Sequence, residues 1–475
     1  MVLMADLDLS PSQRQELGRK SLDWVLRYFS EQAELPVYPT ISASELTARL
    51  SNTLPNDPQD PAAVMADFDV VARFGRHNGH PRMFGYVQSS GSFAGVVGDL
   101  LASAINQNVT SWRSAPAATT VEHQVIEWLK TMVGFDPQGE GVLLSGGSFA
   151  NFAGLATALR ASTDVDLNQR GVAALPGLPR IYTSEMTHMS MPKAASLLGI
   201  GKDAVIRIPV DEELRMRPDL LARQIAADRS AGLHPVCAVA TAGEVNTGAI
   251  DPLAAIADVC AESGVWLHVD GSYGALAAQS RFVNGAMHAL RRADSLSLDP
   301  HKWLYAPLDA GCLLVRNGAA LRRAFSEGAG YIDVVGDPDM SEFAYWDHSP
   351  ELSRRFRALK IWFVLKIHGV GAIRQAIDSN IEVAQQLGAL IDASDDFERL
   401  APVPLSIVCF RYTRGDDAFN KRLMVEVQRD GESYLSNATI NGRFALRACI
   451  VNFRTQRADA ERLLASIRRV AARMA

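Results

Sequence analysis

A chain of 475 residues, 48% hydrophobic and 21% charged, has an ordinary globular composition and is too long for one small core. Its formal net charge of −6, with no Lys/Arg block, argues against nucleic acid as the main partner, and no apolar run is long enough to cross a bilayer. The five cysteines, Cys237, Cys260, Cys312, Cys409 and Cys449, are odd in number and form no CxxC pair, which argues against a disulfide framework or a zinc site. With an opening, MVLMADLDLSPSQRQ, that lacks a secretory-signal pattern, a cytoplasmic protein is expected.

Ser10 and Pro11 supply an N-cap and a first-turn proline for a helix over 10–30, where Leu22, Val25, Leu26 and Phe29 fall on one face. That stripe suits packing on its own domain or on a partner subunit equally. The Pro-rich, polar stretch 36–62 reads as an extended arm with linkers. From about residue 120, short apolar runs alternate with helical patterns, and strands are predicted at 141–145, 180–184, 204–210, 235–243, 264–270, 294–299 and 311–317. Strands apolar on both faces and separated by helices imply an α/β fold with a mostly parallel sheet covered by helices. After Arg357 the pattern is mainly helical, and strands predicted at 404–414 and 444–453 suggest a smaller C-terminal α+β domain. The expected division is an N-terminal helical arm for dimerisation over 1–75, a large cofactor-binding domain over 76–360 and a small domain over 361–475.

In open α/β sheets ligands bind beyond the carboxyl ends of the strands, so the residues just after each apolar run carry the functional signal. Gly146, Gly147 and Ser148 join the first strand to a helix, where the backbone can approach a ligand and free N–H groups attract a phosphate. His188 follows the second strand after a short polar turn. Asp270 closes a buried strand in GVWLHVDGSYG, where a carboxylate is costly unless paired. Lys302, in SLDPHKWLYAP, stands between His301 and Trp303, where desolvation would make it a nucleophile toward an aldehyde. Taken singly, each has a plain structural alternative: a turn, a core histidine, a helix cap, a solvated lysine. Together, a phosphate cradle, a carboxylate for a ring nitrogen and an aldehyde-seeking lysine are what pyridoxal 5′-phosphate (PLP) requires.

With these features the sequence resembles the group II PLP-dependent amino acid decarboxylases, the family of aromatic-L-amino-acid, histidine and glutamate decarboxylases. PHKW (300–303) is the most specific match, and HPRMFGYV (80–87), SWRSAPAATTVEHQVIEWL (111–129), ATAG (240–243), HVD (268–270) and LSRRFRALKIWFV (352–364) also match. The resemblance implies a fold-type I homodimer with its active site at the subunit interface. It implies Lys302 as the lysine bonded to the cofactor aldehyde, Asp270 as the partner of the pyridine nitrogen, and His188 stacked on the ring. It further implies Gly147 and Ser148 at the phosphate, His301 close to it, and Thr241 in the cofactor site. Tyr331, in AFSEGAGYIDVVGDPDM, matches a loop tyrosine that returns a proton after carbon dioxide departs. Tyr86, Val87, Ser89, Asn108 and Thr110 would line the substrate pocket, the last two from the partner subunit. The implied reaction is decarboxylation of an L-amino acid to its amine, and the lack of arginine among those wall residues favours aromatic side chains over glutamate.

Two positions depart from the family pattern. Asp299 stands where aromatic-type members usually have Asn; an ionised Asp cannot donate to a phosphate, so it is expected to face elsewhere or pair with a cation. Glu244 stands where Thr is common, and either alters substrate choice or points away. The competing readings are decarboxylation of glutamate, aspartate or histidine, oxygen-dependent aldehyde formation on the same fold, amino transfer, and a PLP-binding homologue without turnover. Tyr331 and His188 argue against aldehyde formation, the PHKW setting against amino transfer, and the intact Lys302, Asp270, His188 and Tyr331 set against a silent homologue.

Overall fold

The structure, a computed structural model, describes residues 7–50, 53–326 and 343–474. The apolar runs become the main sheet: β1 (Glu140–Leu144), β2 (Pro179–Ser184), β3 (Val205–Ile208), β4 (His234–Thr241), β5 (Trp266–Asp270), β6 (Ser295–Leu298) and β7 (Gly311–Val315). All seven predicted strands form, with bounds shifted only at their ends. The order is β1-β7-β6-β5-β4-β2-β3, with β2 to β6 mutually parallel and β7 antiparallel to both neighbours. This is the expected mostly parallel α/β architecture. The register places Thr241 of β4 beside Asp270 of β5, and Asp270 beside Ser297 of β6, so three strand ends meet at one edge.

Strands buried on both faces need helices over them, and the helix Gly147–Ala161 packs against β5, β6 and β7. A Cβ on Gly154 would lie 2.7 Å from His268 Cε1, so a glycine there sets how closely this helix approaches β5. The N-terminal helix, Pro11–Glu31, carries the expected Ser10 cap with a full capping box. The stretch 36–62 departs from its reading as arm and linker, because it holds the helix Ala43–Leu50. Ser42 Oγ accepts from the Glu45 N–H (3.1 Å) and Arg49 pairs with Glu45 (2.9 Å), local contacts that a scan for apolar periodicity overlooks.

The C-terminal sheet joins β8 (Phe397–Arg399), β9 (Ile407–Tyr412), β10 (Ser436–Ile440) and β11 (Arg443–Cys449) in the antiparallel order β10-β11-β9-β8. Two of these strands escape sequence reading: β8 has three residues, and β10 (SNATI) alternates small buried and exposed side chains. A helix, Ala358–Asp392, packs on the helices Phe93–Ile105 and Pro116–Val133 of the large domain and, interrupted at Gly369, also on β8 and β9 of the small sheet. Among the described residues no helix is long and apolar enough to cross a membrane, and no cluster of His, Cys, Asp or Glu could hold a metal ion.

Arg354 ties the segment around Val109 to β1 and to the helix Pro116–Val133 from a fully buried position. It donates to the carbonyls of Val109 (2.6 Å) and Leu143 (2.7 Å), bonds Glu122, and lies 4.2 Å from the centre of the Tyr345 ring. Burial raises the pKa of Glu122, so its charge depends on this guanidinium. Arg354→Met is expected to destabilise the protein by about 3–5 kcal/mol, because it strands a buried carboxylate; urea unfolding midpoints measure the loss, and an unchanged midpoint contradicts it.

Candidate active site

β6 ends at Leu298, and Asp299 leads into a one-turn helix, Pro300–Trp303, closed by the Lys302 N–H on the Asp299 carbonyl (2.8 Å). Trp303 goes fully inward: it stacks on Tyr273 with ring centres 4.8 Å apart and donates from Nε1 to Asn380 Oδ1 (3.0 Å). That anchor leaves the preceding residue, Lys302, at a cavity of about 560 Å³ at the carboxyl edge of the sheet. Asp299 is 2% exposed and pairs with Lys302 Nζ at 2.9 Å, with His301 Nε2 at 3.6 Å. The residue that could not serve a phosphate therefore has its cation, while its Oδ1 is buried with no protein partner. His301 Nδ1 lies 2.7 Å from the Ala310 carbonyl oxygen and 3.2 Å from the Ala310 nitrogen, and burial lowers its pKa.

Seven residues expected around the cofactor, Gly147, Ser148, His188, Thr241, Asp270, His301 and Lys302, all line this cavity. The helix Gly147–Ala161 begins there without a side-chain cap, so its first N–H groups remain available to an anion. A Cβ on Gly147 would come within 2.2 Å of Ser272 Oγ and 2.8 Å of Asp299 Oδ2; glycine keeps that end of the cavity open.

Asp270 is buried, yet its oxygens are well supplied with donors. Oδ1 accepts from the Ser272 N–H (3.1 Å) and Ser297 Oγ (3.2 Å), and Oδ2 from Asn151 Nδ2 (2.9 Å). Burial opposes its ionisation most strongly, but Ser272 together with the nearby Lys302 and His188 outweighs it, and the pKa stays below the usual aspartate range. His188 Nδ1 accepts from the Ser190 N–H (3.2 Å) and lies 3.0 Å from Ser190 Oγ. Burial lowers its pKa, so the ring is neutral with its proton on Nε2. Glu244 turns its carboxylate into its own loop, accepting from Asn246 (N–H 2.9 Å, Nδ2 2.6 Å) and Thr247 (N–H 2.9 Å, Oγ1 3.1 Å). Its oxygens are bonded inside the loop, while burial raises its pKa.

Five predicted substrate residues do not line this cavity within one chain. Tyr86, at φ 65°, packs near Tyr434 and under Arg76; Val87 is buried in the main core; Ser89 Oγ donates to the Ala306 carbonyl (2.6 Å). Asn108 Oδ1 accepts from the Arg354 N–H and the Thr110 carbonyl from the Tyr345 N–H, both at 2.8 Å. Tyr331 lies outside the described residues. Asn151, Ser190, Ser272 and Ser297, which bond Asp270 or His188, escape sequence reading; only Asn151 carries a legible signal, as the one amide in the helix GSFANFAGLATALRA, four residues after Gly147.

Residues 44–413 match the pyridoxal-dependent decarboxylase conserved domain. The chain belongs to the pyridoxal-dependent decarboxylase family. It is 36% identical over 475 residues to an aromatic-L-amino-acid decarboxylase of Bacillus atrophaeus, covering 98% of this chain and 97% of that one. It is 30% identical over 465 residues to a phenylacetaldehyde synthase of a Rosa hybrid cultivar, covering 93% and 90%. The crystal structure of Oryza sativa TDC with PLP and tryptamine matches with a TM-score of 0.92 at 27% identity, over 99% of this chain and 100% of that chain. Like its family, the protein is a PLP-dependent amino acid decarboxylase of fold type I.

The site fits that cofactor on this chain's own atoms: an uncapped helix start over an open glycine for a phosphate, an ionised Asp270 for a ring nitrogen, and Lys302 at the same cavity. Gly147→Ala is expected to weaken PLP binding at least about tenfold, since closing the cradle removes charge-assisted hydrogen bonds. Absorbance titration of the cofactor-stripped protein measures it, and wild-type affinity would refute a phosphate at this glycine.

Proposed function

We propose that the protein decarboxylates an aromatic L-amino acid, with PLP held by Gly147, Ser148, His188, Thr241, Asp270, His301 and Lys302. The observation that carries this reading is the meeting of Lys302 Nζ, the ionised Asp270 and an uncapped helix N-terminus at one cavity. PLP supplies an electron sink for the pair left on the substrate's α-carbon when carbon dioxide departs. Asp270 holds a proton at the ring nitrogen by a charge-assisted hydrogen bond. Lys302 Nζ, positioned by Asp299 at 2.9 Å, would be the nucleophile toward the cofactor aldehyde once its proton passes to a base. Either Tyr331 or His188, whose proton sits on Nε2, returns the proton that completes the amine.

Phe149, Phe152, Val245 and Leu197 give the cavity apolar wall, which supports an aromatic over an acidic side chain; its described lining residues include no arginine and, besides Lys302, one lysine, Lys193. The names of the Bacillus relative and of the tryptamine-bound Oryza structure support the same class. Asn108 and Thr110 complete the substrate wall across a homodimer interface, reaching the partner's cavity. Leu22 and Leu26 of the first helix, 49% and 47% exposed, supply apolar surface for that contact. The five cysteines, all buried and unpaired, accord with a cytoplasmic setting.

Lys302→Ala is expected to abolish amine and carbon dioxide release together with the visible absorbance of bound PLP. Across the protein amino acids plus DOPA, aromatic substrates should exceed glutamate and aspartate at least about tenfold in kcat/KM. The reverse order, or hydrogen peroxide and ammonia formed with carbon dioxide, overturns the reading.

A further inference from the structure

Resting on that reading of the site, we infer that Asn151 and His268 are positioning residues, which together fix where the protons lie around Asp270 and His188. Asn151 is 1% exposed and His268 is fully buried, one on the helix Gly147–Ala161 and the other on β5, held close by Gly154. Asn151 Nδ2 lies 2.9 Å from Asp270 Oδ2, and an ionised carboxylate only accepts, so the amide nitrogen faces Asp270. Its Oδ1 then faces His268 Nε2 (3.0 Å), and an amide oxygen only accepts, so His268 carries its proton on Nε2. Burial lowers the pKa of His268 to about 4, which leaves the ring neutral and Nδ1 an acceptor for Ser295 Oγ (2.8 Å). Ser295 Oγ in turn accepts from Trp266 Nε1 (2.8 Å), a group that only donates.

On the other side, Asn151 Nδ2 also donates to Ser190 Oγ (3.0 Å), which stands 3.0 Å from His188 Nδ1. The run Trp266, Ser295, His268, Asn151, Asp270 thus has one consistent direction, with a donor-only indole at one end and a carboxylate at the other. One amide delivers a hydrogen bond to the carboxylate and another toward the imidazole, so the two groups that meet the cofactor ring are set by a side chain that never needs to touch it.

Asn151→Asp discriminates this role from simple packing. It keeps the shape of Asn151 but can donate to Asp270 only while protonated, and two carboxylates at that distance share a single proton. The titratable groups around the pair are His268, His188 and Lys302. Sharing raises the pair's proton affinity, so the donor is present at low pH and lost as pH rises. In the holoenzyme, measured from about pH 5.5 to about pH 8.5, Asn151→Asp should lose at least about tenfold in both kcat and PLP affinity relative to wild type, with KM within about twofold.

Asn151→Leu should be impaired at every pH, whereas His268→Gln, which keeps an N–H near the Nε2 position, should stay within about threefold of wild type. A wild-type pH profile and PLP affinity for Asn151→Asp overturns the inference, as does a His268→Gln variant as impaired as Asn151→Leu. Should Asn151→Asp not fold, His268→Leu replaces it: impairment that His268→Gln does not share is expected, and equal values overturn the inference. None of these outcomes depends on Lys302→Ala, which decides the reading of the site separately.

Discussion

Two carboxylates, Asp270 and Asp299, are buried at the carboxyl ends of the neighbouring strands β5 and β6, and burial makes each of them costly unless other groups come to it. Much of the surrounding structure answers that demand. Asp299 takes Lys302 as its partner, which holds the lysine at the cavity instead of in solvent. Asp270 takes hydrogen bonds from Ser272, Ser297 and Asn151, which draws in the helix Gly147–Ala161 and places its uncapped start beside the same cavity. The chemistry of the site follows from satisfying charge in a place the sheet keeps dry.

Holding that arrangement requires anchors away from it. Trp303 pins the turn that carries Lys302 through Asn380, a residue of the helix Ala358–Asp392, and Asn380 also donates to the Asn452 carbonyl (2.9 Å). The small C-terminal unit is therefore bonded directly to the turn that presents the lysine. Arg447, in β11, extends this link by donating to the Val245 carbonyl (2.8 Å) and Ser436 Oγ (2.9 Å), so the loop carrying Glu244 is held from the same side. Arg354 performs a similar service for the segment around Asn108, which turns away from its own cavity.

Much of this was legible in the sequence, for identifiable reasons. The strands of the main sheet announced themselves because a parallel strand buried on both faces must be apolar throughout. Gly147, Asp270 and Lys302 stood out because each is the wrong residue type for a bland strand end, and their order along the chain matched one cofactor. The helix Ala43–Leu50 and the strand β10 were hidden because capping, ion pairs and short side chains hold them in place of an apolar pattern. Asp299 could be recognised as a misfit but not assigned a partner, since a one-turn helix decides that its carboxylate meets the lysine three residues later.

The sequence by itself determined the fold class, the cofactor and the strand ends that would meet it, because strand burial and the chemistry of PLP both demand particular residue types at particular places. Only the tertiary structure decided which polar groups share protons. His268, Asn151 and Asp270 are separated by up to 119 positions along the chain, and nothing local in any of them says that an amide stands between an imidazole and a carboxylate. That juxtaposition comes from packing a helix onto a sheet with a glycine at the contact, and hydrogen-bond direction then leaves a single arrangement.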